Sequence, residues 1–165
     1  DLILKRMKRR HTRKEAVSIC RQLRQLRPDI VLGADIIAGF PTETEAMFQR
    51  SLDLIDDCGL TLVHVFPYSR REGTPAARMP QVEKAERKRR AAELRSKADA
   101  ARAARFFLEQ GKKRSILMER GGRGHSEHFL PVRLANPETN GVQSGTLFQG
   151  VVRSVQNGHL LVDPI

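Results

Sequence analysis

The chain has 165 residues, of which 39% are hydrophobic and 30% charged, and its formal net charge is +11. This length allows one domain, or one domain and a small appendage, and the long apolar stretches exclude a fully disordered protein. The two cysteines, Cys20 and Cys58, exclude a disulfide framework and a zinc ribbon and fit a reducing cytoplasm. No apolar run approaches the ~20 residues of a membrane span, so no membrane association is expected.

The first predicted elements are two helices. Residues 1–7 already have a helical pattern although the chain begins with Asp1, so we expect a piece of a longer protein. Thr12-Arg13-Lys14-Glu15 is a capping box, which predicts that a second helix begins there. Apolar residues then follow helical spacing up to Leu26, and Pro28 ends this helix.

A strand, a helix and a second strand follow. Residues 30–38 form a nearly unbroken apolar run, which predicts a strand buried on both faces of a parallel sheet. Gly39-Phe40-Pro41 turns the chain, and Thr42-Glu43-Thr44-Glu45 is a second capping box. Residues 60–68 are the next strand. With the preceding helix, these elements predict a right-handed βαβ crossover with parallel strands, typical of an α/β fold.

The chain changes character after a long helix over residues 81–110, which ends at Gly111. Close-spaced strands and tight turns then predict a small antiparallel β-barrel. We therefore divide the chain into residues 1–80, a connecting helix at 81–111 and a barrel at 112–165. The predicted strands are residues 115–119, 128–134, 146–155 and 159–162, with turns at Gly121-Gly122, Asn136-Pro137, Asn140-Gly141 and Asn157-Gly158.

The basic residues are concentrated in two helical stretches. Residues 1–27 carry 10 Lys or Arg and 2 Asp or Glu, residues 81–114 carry 12 and 5, and residues 115–165 carry 4 of each. Two basic helices fit a polyanion such as RNA, although Lys and Arg can also simply solvate exposed helix faces. Charge reversal of three residues of the long helix is expected to weaken RNA binding without unfolding it. These residues are Arg87, Arg90 and Lys97.

Asp35 is the most informative candidate site residue. A carboxylate inside an apolar strand is costly to bury without a partner, and residues near the carboxyl end of a parallel strand often face a ligand pocket. The alternative is a structural carboxylate hydrogen-bonded to amides of a neighbouring loop, and the pattern leaves both open. Gly39 would let a ligand approach the backbone, and the capped helix after it would offer amides to an anion. An ordinary turn is the alternative there.

The remaining reactive residues do not form a recognisable site. His125 and His128, with Glu127 between them, could suggest a metal site. The sequence offers neither a third ligand nor a helix that would place both histidines on one face, so a surface turn is expected. Cys20 and Cys58 fall on apolar helix faces and are expected to pack in the core. No catalytic or metal-binding residue is assigned.

Four segments together resemble the radical-SAM methylthiotransferases. Their order and spacing match over about residues 1–80, and the last fifty or so residues are similar to that family's TRAM domain, a small RNA-binding barrel. The sequences of residues 33–35 and 42–48 are most similar to those of the branch that modifies N6-threonylcarbamoyladenosine in tRNA. The segments are residues 4–12 (LKRMKRRHT), 35–44 (DIIAGFPTET), 66–69 (FPYS) and 73–76 (GTPA).

The resemblance implies a reaction and its cofactors. A 4Fe-4S cluster on a C-x-x-x-C-x-x-C motif would cleave S-adenosyl-L-methionine to a 5′-deoxyadenosyl radical. A second 4Fe-4S cluster would take part in sulfur insertion, and a second S-adenosyl-L-methionine would supply the methyl group. This chain has neither cysteine set, so the cluster ligands are expected outside it and the chain alone is expected to be inactive. The implied architecture is the C-terminal part of a partial (β/α) barrel followed by a TRAM-like barrel.

The resemblance also implies roles for individual residues. Arg9 and Asp35 would approach S-adenosyl-L-methionine, and Ile37 and Gly39 would lie near its adenine. The family's Y-S-P-R-P-G-T segment reads YSRREGT at residues 68–74, so both of its prolines are replaced. Since the barrel segment is neutral, its contacts with tRNA would depend on particular side chains. These are Arg120, Arg123 and Arg133.

Three functions are consistent with the sequence. The first is part of a tRNA methylthiotransferase, and the second is a stand-alone RNA-binding module. The third is part of an enzyme of the sister branch, which modifies an aspartate of a ribosomal protein. A C-x-x-x-C-x-x-C motif upstream in the reading frame would separate the first from the second. Mass spectrometry of tRNA nucleosides from a deletion strain would separate the first from the third.

Overall fold

The computed structural model describes residues 1–136 and 142–165, and it divides into two compact units, Asp1–Arg102 and Ala103–Ile165. The predicted turn at Asn140-Gly141 and the proline of Asn136-Pro137 lie outside the described residues. In the part of the chain that is described, no helix is both long and apolar enough to cross a membrane.

The first unit contains a two-stranded sheet and four helices. The strands β1 and β2 pair in parallel, which confirms the predicted order of helix, strand, helix and strand. A 3-10 turn at Pro75–Arg78 precedes the last helix, whose final residues belong to the second unit. The elements are α1 (Leu2–Arg6), α2 (Arg13–Leu26), β1 (Leu32–Ala38), α3 (Glu45–Cys58), β2 (Leu60–Pro67) and α4 (Lys84–Phe107).

Helix α2 begins where its sequence predicts. The Thr12 hydroxyl accepts a hydrogen bond from the Glu15 amide at 3.3 Å, and the Glu15 carboxylate accepts one from the Thr12 amide at 2.7 Å. These two bonds form the predicted capping box and satisfy amide groups that have no partner within the helix.

The second predicted capping box is wrong. The N-cap of α3 is Thr44, whose hydroxyl accepts from the Met47 amide at 3.3 Å. Thr42 instead has a φ of 69° and accepts a hydrogen bond from the Arg6 guanidinium. The helix starts two residues late because Glu43 turns into the interior, where it meets a buried arginine of α4.

The core of the first unit lies on one face of the sheet. Residues of α2, α3 and α4 form one apolar cluster, and Ala34, Ile36, Val63 and Val65 of the strands pack against it. The opposite face of the sheet includes the exposed Asp35, His64 and Phe66. Burial of β1 on both faces, as predicted, is therefore wrong for the described residues, because all three helices cover the same side. The main cluster members are Val17, Phe48, Leu52, Ile55, Ala91, Leu94 and Ala98.

The second unit contains the predicted small barrel, which closes in the order β3-β4-β5-β7-β6. All neighbours are antiparallel except β5 and β7, which are parallel. A closed ring with an odd number of strands cannot alternate direction at every seam, so one parallel pair is required. The five strands described are β3 (Lys113–Met118), β4 (Arg123–Ser126), β5 (Pro131–Leu134), β6 (Leu147–Gln156) and β7 (His159–Pro164).

Strand β4 is missing from the sequence prediction. Arg123-Gly124-His125-Ser126 has neither apolar alternation nor β-branched residues, which are the usual strand signals. Its Gly124 is required by close approach, since a Cβ there would lie 2.3 Å from the Leu117 carbonyl oxygen of β3. The strand therefore depends on pairing with its neighbours.

Candidate functional site

Asp35 lies exposed on the open face of the β1–β2 sheet. It is beside His64 in the register of the parallel pair, and Ile37, two residues on, is beside Phe66. Asp35 forms no hydrogen bond or ion pair with any described residue. The alternative of a carboxylate held by loop amides therefore has no support in this part of the chain, and the carboxylate is available to a ligand.

The turn after β1 is held by a buried hydrogen bond and by close packing against α4. The Gly39 amide donates to the Glu43 carboxylate at 2.8 Å, so it is not free for an anion. Gly39 has a φ of 71°, and a Cβ there would lie 2.5 Å from Cγ of Arg87 on α4. Both the left-handed backbone and the close approach of α4 therefore require glycine.

Glu43 and Arg90 form a buried ion pair that connects this turn to α4. They are 6% and 5% exposed, and Nη1 of Arg90 donates to the Glu43 carboxylate at 3.0 Å and to its carbonyl at 2.8 Å. Nε of Arg90 donates to Glu86 at 2.7 Å. Burial raises the pKa of Glu43, although the Gly39 amide and Arg90 oppose this. Burial would lower the pKa of Arg90, but the two carboxylates raise it.

The three residues of α4 expected to contact RNA are all engaged within the first unit. Arg90 is buried as described, Arg87 donates to the Tyr68 carbonyl at 2.7 Å, and Lys97 pairs with Asp56 at 2.5 Å. Arg90 is therefore withdrawn from solvent, whereas Arg87 and Lys97 are partly exposed, and RNA binding by these three residues stays a prediction. The reason is helical spacing: these residues flank the buried stripe that includes Ala91, Leu94 and Ala98. That spacing is the sequence signal that could have identified them.

Arg9 is exposed just after α1, where its amide donates to the Leu4 carbonyl at 2.9 Å. No hydrogen bond or ion pair joins Arg9 to Asp35. Of the four residues predicted to bind the cofactor, the structure brings Asp35 and Ile37 onto the open sheet face and places Gly39 in the buried turn. Glu43, which sequence reasoning did not assign, is the residue that holds this turn.

In the barrel, Arg123 and Arg133 are directly opposite each other on β4 and β5. They alternate with the buried Gly124, Val132 and Leu134, so their side chains are on the outer face. Neither forms an ion pair with any residue described, and Nε of Arg133 is buried without a hydrogen-bond partner. Like charges directly opposite on a sheet repel each other, and an anion between them would relieve this repulsion. Arg120 is exposed in the turn that leads into β4.

The described residues contain no group of three His, Cys, Asp or Glu side chains that could hold a metal ion. Cys20 and Cys58 are both free thiols. Burial, together with the neighbouring Cys20, raises the pKa of the Cys58 thiol to about 11. A thiol of this kind is a poor metal ligand, because the thiolate is the form that binds metals.

No protein-family model matches the chain. The chain is 44% identical over 160 residues to the threonylcarbamoyladenosine tRNA methylthiotransferase MtaB of Rickettsia prowazekii, covering 97% of this chain and 37% of that protein. It is 39% identical to a tRNA-2-methylthio-N(6)-dimethylallyladenosine synthase of Ruegeria pomeroyi, covering 96% of this chain and 36% of that protein. A synthase of the same name from Magnetococcus marinus is 42% identical over 120 residues, covering 72% of this chain and 28% of that protein. The chain thus spans between 28% and 37% of the length of these relatives.

Proposed function

We propose that this chain, which belongs to the radical-SAM methylthiotransferase family, is part of an enzyme that adds a methylthio group to N6-threonylcarbamoyladenosine next to the anticodon of tRNA. The observation that carries this proposal is the 44% identity to a threonylcarbamoyladenosine tRNA methylthiotransferase over 97% of the chain. The relatives named for dimethylallyladenosine are also named for tRNA, which supports tRNA as the substrate.

The residues of the first unit fit S-adenosyl-L-methionine. Asp35 offers an exposed carboxylate without a partner among the described residues, and carboxylates accept hydrogen bonds from hydroxyl and ammonium groups. Ile37 provides apolar surface on the same face, and Arg9 provides an exposed cation near the start of the chain. When bound, the cofactor would supply the radical and the methyl group. Gly39 would contribute through the shape of its turn, since its amide is already bonded to Glu43.

The 4Fe-4S clusters do not fit this chain. It has two cysteines, separated by 37 residues, and the thiol of Cys58 is buried. We therefore assign the cluster ligands to the rest of the protein and derive no step through them. The chain's own part would be to orient S-adenosyl-L-methionine and to bind tRNA.

The barrel supports the RNA part of the proposal. We propose residues 1–80 as the cofactor-side portion, 81–111 as a connecting helix, and 112–165 as a TRAM-like RNA-binding barrel. Arg120, Arg123 and Arg133 are the proposed phosphate contacts. They have no ion-pair partner among the described residues, and such arginines can neutralise phosphates at no cost to an existing ion pair.

A deletion strain tests the reaction. Nucleosides of its tRNA, analysed by mass spectrometry, should retain N6-threonylcarbamoyladenosine and lose the methylthio form, which the full-length gene should restore. Unchanged tRNA with loss of a modified aspartate on a ribosomal protein would establish the sister reaction instead. If the deletion changes neither the tRNA nor the ribosomal protein, and the purified full-length protein contains no iron, the protein is an RNA-binding module.

The cofactor assignment is tested with Asp35→Asn in the full-length, cluster-reconstituted enzyme. This substitution keeps the shape but removes the charge, and losing a hydrogen bond between charged partners costs about 1.5–3 kcal/mol. We expect roughly tenfold to hundredfold weaker binding of S-adenosyl-L-methionine by titration, with an unchanged melting temperature. A lower melting temperature with unchanged cofactor affinity would show that Asp35 is structural.

A further inference from the structure

The connection between β4 and β5 presents an exposed aromatic side chain. Phe129 is 77% exposed and has a φ of 59°. The left-handed region is unfavourable for a bulky side chain, and a phenyl ring exposed to water does not stabilise the fold. Packing within the second unit therefore does not explain why phenylalanine is at this position.

The tip that carries Phe129 is firmly held. The Ser126 hydroxyl accepts from the amides of His128 and Leu130, both at 3.3 Å. The Phe129 amide donates to the Ser126 carbonyl at 2.9 Å, and the Ser126 amide donates to the Leu130 carbonyl at 3.0 Å. Ser126, His128 and Leu130 are buried, whereas Phe129 is in solvent. The surrounding bonds thus maintain the strained backbone and present the ring outward.

The other end of the same hairpin carries the opposed pair Arg123 and Arg133. Phe129 and Arg133 are four positions apart in the chain, which corresponds to a Cα–Cα distance of at most ~13 Å at the rise of a β-strand. A cationic pair and an exposed aromatic ring within this distance match the chemistry of unpaired RNA, which offers phosphates and unstacked bases together. Duplex RNA offers the phosphates, but its bases are already stacked.

We propose that the β4–β5 hairpin binds unpaired nucleotides, with Phe129 stacking on one base while Arg123 and Arg133 contact neighbouring phosphates. This inference rests on the proposed function for the identity of the RNA, and it adds the preference for single-stranded segments and the residue that confers it. Stacking on a phenyl ring tolerates every base, so the hairpin recognises the unpaired state and leaves sequence recognition to other parts of the enzyme.

The test uses the full-length protein and two RNA probes, an anticodon stem-loop and a blunt duplex with the sequence of its stem. Phe129→Asn removes the ring but suits the left-handed backbone, since asparagine tolerates this region. Phe129→Tyr keeps a ring that can stack. Phe107→Ala is the matched control, because Phe107 is 70% exposed in the same unit, at the end of α4.

Phe129→Asn should bind the stem-loop roughly 5- to 150-fold more weakly, the range of one lost base–aromatic stack, with duplex binding unchanged. Its melting temperature should equal or exceed that of the wild type because strain is relieved. Phe129→Tyr and Phe107→Ala should bind both probes like the wild type. A fluorescent 2-aminopurine in the loop should be quenched by the wild type and by Phe129→Tyr, but not by Phe129→Asn.

Equal affinity of wild type and Phe129→Asn for the stem-loop would overturn the inference, as would an equal loss on the duplex. A melting temperature lowered in Phe129→Asn, with affinity reduced only in proportion to unfolding, would show that the ring is structural. Failure of the proposed function has a different signature: the wild-type protein would bind neither probe, or the tRNA of a deletion strain would be unchanged.

Discussion

Helix α4 and the β4–β5 hairpin both carry arginines that sequence reasoning assigns to RNA, but their charges have different partners. Residues 81–114, which include α4, have 12 basic and 5 acidic residues, whereas residues 115–165 have 4 of each. Arg90 of α4 is nevertheless buried against Glu43 and Glu86. Arg123 and Arg133 of the hairpin have no ion-pair partner among the described residues. The net charge of a segment therefore does not tell which of its arginines are available to bind a phosphate, because that depends on the pairing of each side chain.

The difference has a physical origin. An arginine that already donates to carboxylates must lose those bonds before it can bind a phosphate, and in a buried site this loss is large. An exposed arginine opposite another arginine gains on binding a phosphate, because the anion removes a repulsion. We therefore expect Arg123 and Arg133 of the hairpin, rather than Arg90 of the helix, to contact RNA.

The largest expected effect concerns Arg90. Arg90→Ala would leave Glu43 buried without its cation, so we expect the free energy of unfolding of the first unit to fall by about 3–5 kcal/mol. Urea denaturation followed by circular dichroism measures this change. Lys88→Ala is the control, since Lys88 is exposed on the same helix, and it should change stability by less than about 0.5 kcal/mol. If the Arg90→Ala protein has normal stability but binds tRNA more weakly, Arg90 contacts RNA and does not stabilise the fold.

The second prediction concerns a buried carboxylate within the barrel unit. Glu109 is fully buried, with Arg114 at 2.5 Å and Arg105 at 2.8 Å. Burial would raise the pKa of Glu109, but the hydrogen bond from Arg114 and the nearby cations lower it. The ionised carboxylate therefore stabilises the fold above its unfolded-state pKa of about 4.5, and this stability is lost as the pH falls through the lower folded-state value.

Glu109→Gln should cost about 3 kcal/mol at pH 7 and flatten the pH dependence of stability below pH ~4.5. Denaturation curves recorded from about pH 3 to about pH 7 measure both the loss of stability at neutral pH and the change in its pH dependence. Glu127→Gln is the matched control, because Glu127 is partly exposed and lies 3.8 Å from the same Arg114. Identical pH profiles for the wild type and Glu109→Gln would show that this buried pair does not govern acid stability.

The third prediction concerns Arg123 and Arg133, the opposed pair for which the described part of the chain provides no carboxylate partner. Arg123→Gln combined with Arg133→Gln should weaken tRNA binding roughly tenfold to hundredfold, because two phosphate contacts are lost. The slope of log affinity against log salt should fall by about 1.4 if both phosphates belong to a single strand. The melting temperature should stay the same or rise, since a like-charge pair is removed.

Arg153→Gln is the control for this pair. Arg153 is an exposed barrel arginine on β6, 3.9 Å from Asp163, and its substitution should leave the salt slope nearly unchanged. If the double substitution leaves affinity and slope unchanged while Lys88→Ala weakens binding, the basic helix and not the barrel contacts tRNA.

Much of the fold could be predicted because its signals are local. The capping box at Thr12 and the left-handed Gly59 that ends α3 depend on residues within one helical turn. The misplaced start of α3 shows the limit. Thr42 has the right spacing for a capping box, but the attraction of Glu43 to a buried arginine 47 positions away outweighs it.

By itself, the sequence determined the type and order of the helices and first strands and the presence of a small barrel. It also identified Asp35 as a candidate site residue. These features could be predicted because apolar periodicity and turn residues act over a few positions. Only the tertiary structure decided which face of β1 is covered, that β4 is a strand, and which arginines have no ion-pair partner among the described residues. Those properties depend on partners distant in the chain. Whether a side chain is buried, paired or open to a ligand is set by the elements that pack around it, and nearby residues do not encode that arrangement.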